Sequence, residues 1–147
     1  MNTVKDILTE KGKNVYSVAP HTTLLEALKK LRDHNVGFLV VIDDGKVKGI
    51  ISERDFAYRI AEKSAFPLNE PVSAWMTQEI IAVTSSTTII ECMQLMSREH
   101  VRHLPVVDDG KLAGIVSIGD VVKAEVNGKQ STILGLDNYI LNRPFEN

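Results

Sequence analysis

The chain contains itself twice. Residues 15–60 and 80–125 align without a gap at a constant offset of 65. Val18, Thr22, Thr23, Glu26, Val36, Leu39, Val41, Asp43, Asp44, Gly45, Lys46, Gly49, Ile50, Ser52 and Asp55 recur as Val83, Thr87, Thr88, Glu91, Val101, Leu104, Val106, Asp108, Asp109, Gly110, Lys111, Gly114, Ile115, Ser117 and Asp120. Most other pairs exchange one apolar residue for another. So long a period in 147 residues means two copies of one supersecondary unit, expected to pack about a pseudo-twofold axis. Function is then to be sought where the copies face each other and where they differ.

Each copy reads strand, helix, strand, hairpin, strand, helix. In the first, an extended piece around Val15–Val18 precedes Thr23-Leu24-Leu25-Glu26, a capping box in which Thr and Glu satisfy each other's backbone N–H groups. Leu24, Ala27, Leu28 and Leu31 recur at helical spacing, with Lys29, Lys30, Arg32 and Asp33 on the opposite face. Phe38–Ile42 is a continuous apolar run, as in a strand covered on both faces. Asp43-Asp44-Gly45-Lys46 is a hairpin turn, because Asp and Gly tolerate the positive φ it needs. Strand Val47–Ile51 follows, and Ser52-Glu53-Arg54-Asp55 opens a helix reaching about Glu62.

The second copy repeats this grammar, from the Thr88–Glu91 cap to the Ser117-Ile118-Gly119-Asp120 helix start. Its Asp108–Lys111 turn, like the first, lacks the regularly spaced further oxygen ligands of a calcium site. A smaller echo, Val4–Thr9 with Val72–Thr77 at an offset of 68, places a short amphipathic helical turn before each copy. The expected division is 1–65 for repeat one with its pre-helix, 66–128 for repeat two with its own, and 129–147 for a tail. Ile133, Leu136, Ile140 and Leu141 in that tail read as a short helix ended by Pro144.

Composition narrows the function classes. Hydrophobic residues at 44% and charged ones at 24% are ordinary for a globular protein. A net charge of −2 without a Lys/Arg run gives no footprint for nucleic acid or anionic membrane. Cys92 is the single cysteine, so no internal disulfide forms, and its apolar helical neighbours read as core. With no signal-like N-terminus and no span-length apolar run, the expected location is cytoplasmic.

The β-α-β-β-α grammar, Val-Arg-His-Leu-Pro-Val-Val-Asp-Asp-Gly at 101–110, and Gly-Ile-Ile-Ser-Glu-Arg-Asp (49–55) paired with Gly-Ile-Val-Ser-Ile-Gly-Asp (114–120) together resemble a tandem pair of CBS (cystathionine β-synthase) domains, the Bateman module. The resemblance covers roughly residues 4–125. It implies an α/β (α+β) fold and a non-catalytic regulatory module binding AMP, ADP, ATP, NAD(H) or S-adenosylmethionine in two clefts between the repeats. It also implies a flat homodimer, and no metal beyond magnesium carried by a nucleotide.

In that family a cleft is crossed, the Asp coming from one copy and the adenine slot and phosphate contacts largely from the other. Carried onto this sequence, site A combines Ser52, Arg54 and Asp55 with Ile81, Arg102 and His103. Site B combines Ser117, Gly119 and Asp120 with Tyr16, Gly37 and Phe38. Each Ser-x-x-Asp follows a strand directly, where ligands of open α/β sheets sit, and Asp suits a ribose diol. The same spacing also serves as a plain helix cap.

The cations Arg54, Arg59, Arg102 and His103 all fall to site A, opposite Gly119, Ala124, Gly37 and Phe38. An Arg fork and a helix N-terminus favour phosphate, so site A is expected to take the phosphorylated part of a nucleotide. Site B, into which Lys123 near Asp120 is placed to reach, is expected to take a nucleoside, a weaker ligand or none. Arg59 reads equally as the partner of Asp55 on a solvated helix face. His100 and His103 lack further metal ligands nearby, His21 and His34 read as surface or cap residues, and Trp75 with Met76 reads as anchoring the pre-repeat helix in a core between the copies.

Three functions follow. A sensor binds an adenosyl ligand and passes its state to a separate, unidentified protein, since no enzyme or channel domain accompanies the repeats. A structural oligomerisation module keeps the clefts as vestiges. A nucleotide-hydrolysing enzyme is disfavoured by the absence of a GxxxxGK[ST] loop or a carboxylate pair at metal spacing.

Overall fold

The computed structural model describes residues 3–128. The expected tail helix after Ser131 lies outside them. Two compact units emerge. The first comprises Val15–Ile80 with Asp109–Leu112; the second takes Ile81–Asp108 and, of the described flanks, 3–14 and 113–128.

The first unit holds strand β1 (Ser17–Val18), helix α2 (Leu24–His34), strands β2 (Phe38–Asp43) and β3 (Lys46–Ser52), helix α3 (Glu53–Lys63) and a single 3-10 turn, Val72–Ala74. Helix α2 starts where the sequence says. Glu26 N–H donates to the Thr23 hydroxyl at 3.2 Å, and Thr23 N–H to the Glu26 carboxylate at 2.9 Å. Leu24, Ala27 and Leu31 face the core, and Asn35 closes the helix in the left-handed region at φ 52°. β1 runs parallel to β2, and β2 antiparallel to β3 with Phe38 opposite Ser52. The Asp44–Gly45 turn has φ of 51° and 74°, the two positive values a tight hairpin demands.

Leu39, Val41, Ile51, Phe56, Val72 and Trp75 join the α2 residues in this core. The Trp75 ring is fully buried between Phe56 and Phe66, at centroid distances of 6.1 and 5.8 Å, and its indole N–H donates to Glu70 at 2.9 Å. Trp75 and Met76, expected in a core between the copies, instead join the core of the unit built on the first repeat.

The second unit holds helix α1 (Val4–Lys11), helix α4 (Ile89–Glu99), strands β4 (His103–Asp108) and β5 (Lys111–Ser117, from Ala113 on) and helix α5 (Ile118–Gly128). Ile89, Cys92 and Met96 of α4 face its core at the positions of Leu24, Ala27 and Leu31, and His100 ends α4 at φ 54° as Asn35 ends α2. β1 has a counterpart reduced to one parallel bridge, Val83 to Val106. Cys92 is fully buried, and desolvation, then the neighbouring Glu91 charge, pushes its thiol up to about 11.

Helix α1 belongs to this unit: Val4 N–H donates to Thr87 O and Lys5 N–H to Ser85 O, both at 2.9 Å. The sequence segment that precedes repeat one therefore packs with repeat two, and the segment that precedes repeat two packs with repeat one. The pre-repeat segments also differ in form. Thr3 and Asp6 make a capping box that starts a helix running two residues past Thr9. In the other, Pro71 starts a 3-10 turn, and Thr77 is captured by Ile50 through two backbone hydrogen bonds of 3.0 and 2.8 Å.

Glycine permits both packings. A Cβ on Gly49 would lie 2.6 Å from the Thr77 carbonyl oxygen, and one on Gly114 would lie 2.7 Å from Leu8 Cδ2. Gly49 and Gly114 are repeat equivalents, as are Met76 and Leu8 in the shorter echo.

Candidate functional site

Each repeat delivers its acidic residue by the same local chemistry. Strand β3 ends at Ser52, whose extended backbone (φ −119°, ψ 164°) turns the chain into α3. Ser52 N–H donates to Asp55 Oδ2 at 2.8 Å, the Ser52 hydroxyl at 3.0 Å, and Asp55 N–H returns to Ser52 Oγ at 3.3 Å. In the second unit Ser117 N–H donates to Asp120 Oδ2 at 2.8 Å, and Asp120 N–H to Ser117 Oγ at 3.1 Å. Both aspartates are capping residues, as Glu26 and Glu91 are. In both boxes a single oxygen, Oδ2, serves the cap. Oδ1 stands outside it.

What completes each carboxylate differs. Asp55 Oδ1 accepts from the Thr77 hydroxyl at 2.8 Å, a neutral donor from the pre-repeat turn. Asp120 Oδ2 accepts from Lys11 Nζ at 2.6 Å, and the same ammonium donates to Ile115 O at 3.1 Å. Burial would raise the Asp120 carboxyl. The Lys11 hydrogen bond and charge, with the Ser117 backbone and hydroxyl, outweigh it and hold the group below its ordinary 3.8.

The remaining predicted residues fall as follows. Tyr16, Gly37, Phe38, Ser52, Arg54 and Asp55 belong to the first unit, and Ile81, Arg102, His103, Ser117, Gly119 and Asp120 to the second. In the first, Phe38 lies opposite Ser52, and Gly37 O accepts from Glu53 N–H at 2.9 Å. In the second, Arg102 O accepts from Ile118 N–H at 2.8 Å, the equivalent bond. Thus in each unit the residue before the second strand is tied to the start of the helix that carries the Asp.

The Arg54 guanidinium sits 4.9 Å over the Tyr58 ring, and Tyr16 stacks on His34 at 3.9 Å between centroids. Ile81 packs against the second unit's core, and Gly119 lies in the first turn of α5. Partial withdrawal from solvent, then the Lys11 charge, lowers His103 below its ordinary 6.5; Asp120 opposes this and Arg102 adds to it. His103 thus feels the charges of three groups of its own unit, Lys11, Asp120 and Arg102.

Three sequence expectations change. Lys123 does not reach Asp120; its ammonium stands 4.0 Å from Glu10. Arg59 pairs with Glu62 at 3.4 Å rather than with Asp55. The Asp120 side is not poor in cations, because Lys11 occupies it. Sequence reasoning missed Lys11 and Thr77 as carboxylate partners. Thr77 carried a signal as the end of the shorter echo; Lys11, 109 residues from Asp120, carried none.

Among the described residues no cluster of three or more His, Cys, Asp or Glu is arranged to hold a metal, and no helix is long and apolar enough to cross a membrane.

Twin β-α-β-β-α repeats, each presenting a capped aspartate at a strand end, define a duplicated α+β module. The family model of the CBS domain matches residues 4–62 and 72–127, and the chain belongs to that family. It is 36% identical over 147 residues to the mitochondrial CBS domain-containing protein CBSX3 of Arabidopsis thaliana, covering 94% of this chain and 71% of that one. Among solved structures it resembles the CBS-domain containing protein ATU1752 from Agrobacterium tumefaciens (TM-score 0.77, 42% identity, 84% of this chain and 98% of that one).

Two further neighbours were solved with ligands. CBSX2 in complex with AMP matches at TM-score 0.72 and 30% identity over 88% of this chain and all of that one. The CBS domain pair of MJ0100, with 5′-methylthioadenosine and S-adenosyl-L-methionine, matches at 0.71 and 29% over 87% and 98%. Hypoxic Response Protein I, matching at 0.73 and 27% over 84% and 98%, carries two coordinated zinc ions.

Proposed function

We propose that this chain is a non-catalytic regulatory module that binds an adenosine-containing ligand and passes the bound state to a partner protein. The observation that carries the reading is the repeated strand-end aspartate. In both copies one carboxylate oxygen is spent on the helix cap while the other stands outside the box, so the residue arrives at the helix N-terminus already oriented. A ribose diol supplies two hydroxyl donors, the chemistry such a carboxylate accepts.

The solved relatives that hold AMP and S-adenosyl-L-methionine support the adenosyl class. Asp55 and Asp120 are the ribose acceptors, with Ser52 and Ser117 as their positioning residues. Arg54, Arg102 and His103 are the phosphate ligands, and Tyr16, Ile81, Phe38, Gly37 and Gly119 shape the space for base and sugar. AMP, ADP, ATP and NAD(H) all fit that chemistry, with no metal in the proposal beyond nucleotide-bound magnesium. A homodimer and a cytoplasmic location complete it. Regulation requires the ligand to bind one arrangement of the protein better than another.

A thermal-shift series with AMP, ADP, ATP, NADH and S-adenosylmethionine tests the class. A ligand that binds only the folded protein stabilises it by about 2.7 kcal/mol at a hundredfold excess over its dissociation constant. At least one of the five is expected to raise the melting temperature, with Arg102→Ala reducing the effect of the phosphorylated members. No shift with any of them would leave the repeats as a structural module.

A further inference from the structure

Lys11 is placed too deliberately to be a stray surface charge. Helix α1 is fixed at its N-terminus by the Val4–Thr87 and Lys5–Ser85 hydrogen bonds, and along its length by Leu8 seated on Gly114. Its last turn therefore delivers Lys11 to one location, where Nζ meets both Asp120 Oδ2 and the Ile115 carbonyl. The carbonyl bond is independent of the carboxylate. The side chain keeps 37% of its surface exposed, so the ammonium can turn without leaving its tether. His103 of the same unit lies within electrostatic reach of both Lys11 and Asp120. At Asp55 the corresponding place is taken by the neutral Thr77 hydroxyl, beside the Ser52 N–H and hydroxyl of the cap.

We propose that Lys11 is the phosphate-directing residue of the Asp120 site, making that site selective for a nucleoside 5′-phosphate over the bare nucleoside. The inference rests on the ribose role of Asp120 proposed above and goes beyond it, since the sequence alone assigned phosphate to the Asp55 set. In the ligand-free protein the ammonium neutralises Asp120. Ribose hydroxyls then replace it as donors to the carboxylate, and Lys11, still held by Ile115 O, is released toward a phosphate oxygen. A nucleoside must break the ion pair and gives the ammonium no new anion. A nucleotide restores one. The differential is a charge-assisted hydrogen bond gained by one ligand and not the other.

Calorimetry in an Asp55→Asn background reads the Asp120 site with AMP and with adenosine as probes. Lys11→Gln is expected to weaken AMP about 10-fold or more, the usual size of a hydrogen bond to a charged group, while leaving adenosine unchanged or tighter. Lys11→Arg is expected to restore the preference. An AMP-to-adenosine ratio unaltered by Lys11→Gln overturns the proposal. So does loss of all binding in Asp55→Asn when Asp120→Asn still binds AMP, which leaves the adenosyl reading standing. Failure of the native protein to bind either probe overturns both. Should Lys11→Gln not fold, the Lys11 ammonium signal in native protein gives a second reading: it is expected to shift on saturation with AMP, and an unmoved signal contradicts the proposal.

Discussion

Asp55 and Asp120 stand 65 residues apart at equivalent positions, with the same serine, the same box and hydrogen bonds within a few tenths of an ångström of each other. Yet one rests against a threonine hydroxyl and the other against a lysine ammonium. The duplication has kept the backbone device that presents the carboxylate and let the pre-repeat segment decide its charge environment. The difference traces to secondary structure. A segment begun by Pro71 stops at a 3-10 turn and offers Thr77; one begun by a Thr3–Asp6 box continues to Lys11.

The largest expected effect probes how each pre-repeat segment is anchored. Trp75 and Ile7 are equivalents in the shorter echo, exposed by 0% and 4%. Trp75→Ala is expected to cost about 3–5 kcal/mol by chemical denaturation, and Ile7→Ala to fall toward the lower end of about 2–5 kcal/mol. Equal losses would mean that the Phe56–Phe66–Trp75 cluster contributes nothing beyond its size.

Next come the paired glycines. Gly49→Ala meets a backbone carbonyl oxygen, whereas Gly114→Ala meets the flexible end of Leu8. Overpacking typically costs about 1–3 kcal/mol, and Gly49→Ala is expected near the top of that range with Gly114→Ala well below it. Reversal of the order, read from melting curves, would contradict the packing described for residues 72–77.

A smaller effect reads the Lys11 contact of Asp120 through pH. Because Asp120 is held below its ordinary 3.8, it contributes stability above 3.8 that is lost as pH falls through its lower native value. In Lys11→Gln burial is no longer outweighed to the same degree, so the Asp120 carboxyl is expected to titrate higher by carbon NMR. An unchanged titration would place Lys11 away from it. Glu26 and Glu91 are the internal control. The cap hydrogen bonds from Thr23 and Thr88 hold both below 4.5, so both lose their contribution as pH falls below that value, alike in the two repeats.

Smallest is Cys92. A fully buried thiol raised to about 11 is expected to resist aromatic disulfide reagents in native protein and to react on unfolding. Rapid native labelling would show that α4 opens easily.

Most of the fold could be read from local pattern. Thr-x-x-Glu placed the starts of α2 and α4, Asp-Asp-Gly-Lys placed both hairpins, and apolar spacing named Leu24, Ala27 and Leu31 and their equivalents. These signals are short-range, so the residues that carry them also satisfy them. The carboxylate partners are another matter. Lys11 meets Asp120 across 109 residues with nothing adjacent to either to encode the meeting, while Thr77 meets Asp55 across 22 and is marked only by its place at the end of the shorter echo. Lys123 lies nearer to Asp120 in sequence than Lys11 does, yet its partner is Glu10. The affinity of α1 for the second repeat is equally non-local, because it depends on Leu8 finding the bare backbone of Gly114.

The most direct test of the ligand assignment is a calorimetric titration of AMP into the native protein and into the Asp55→Asn, Asp120→Asn double variant, both shown folded by circular dichroism. Saturable binding to the native protein that disappears in the double variant is the predicted result. A double variant that binds AMP as well as the native protein does would contradict it.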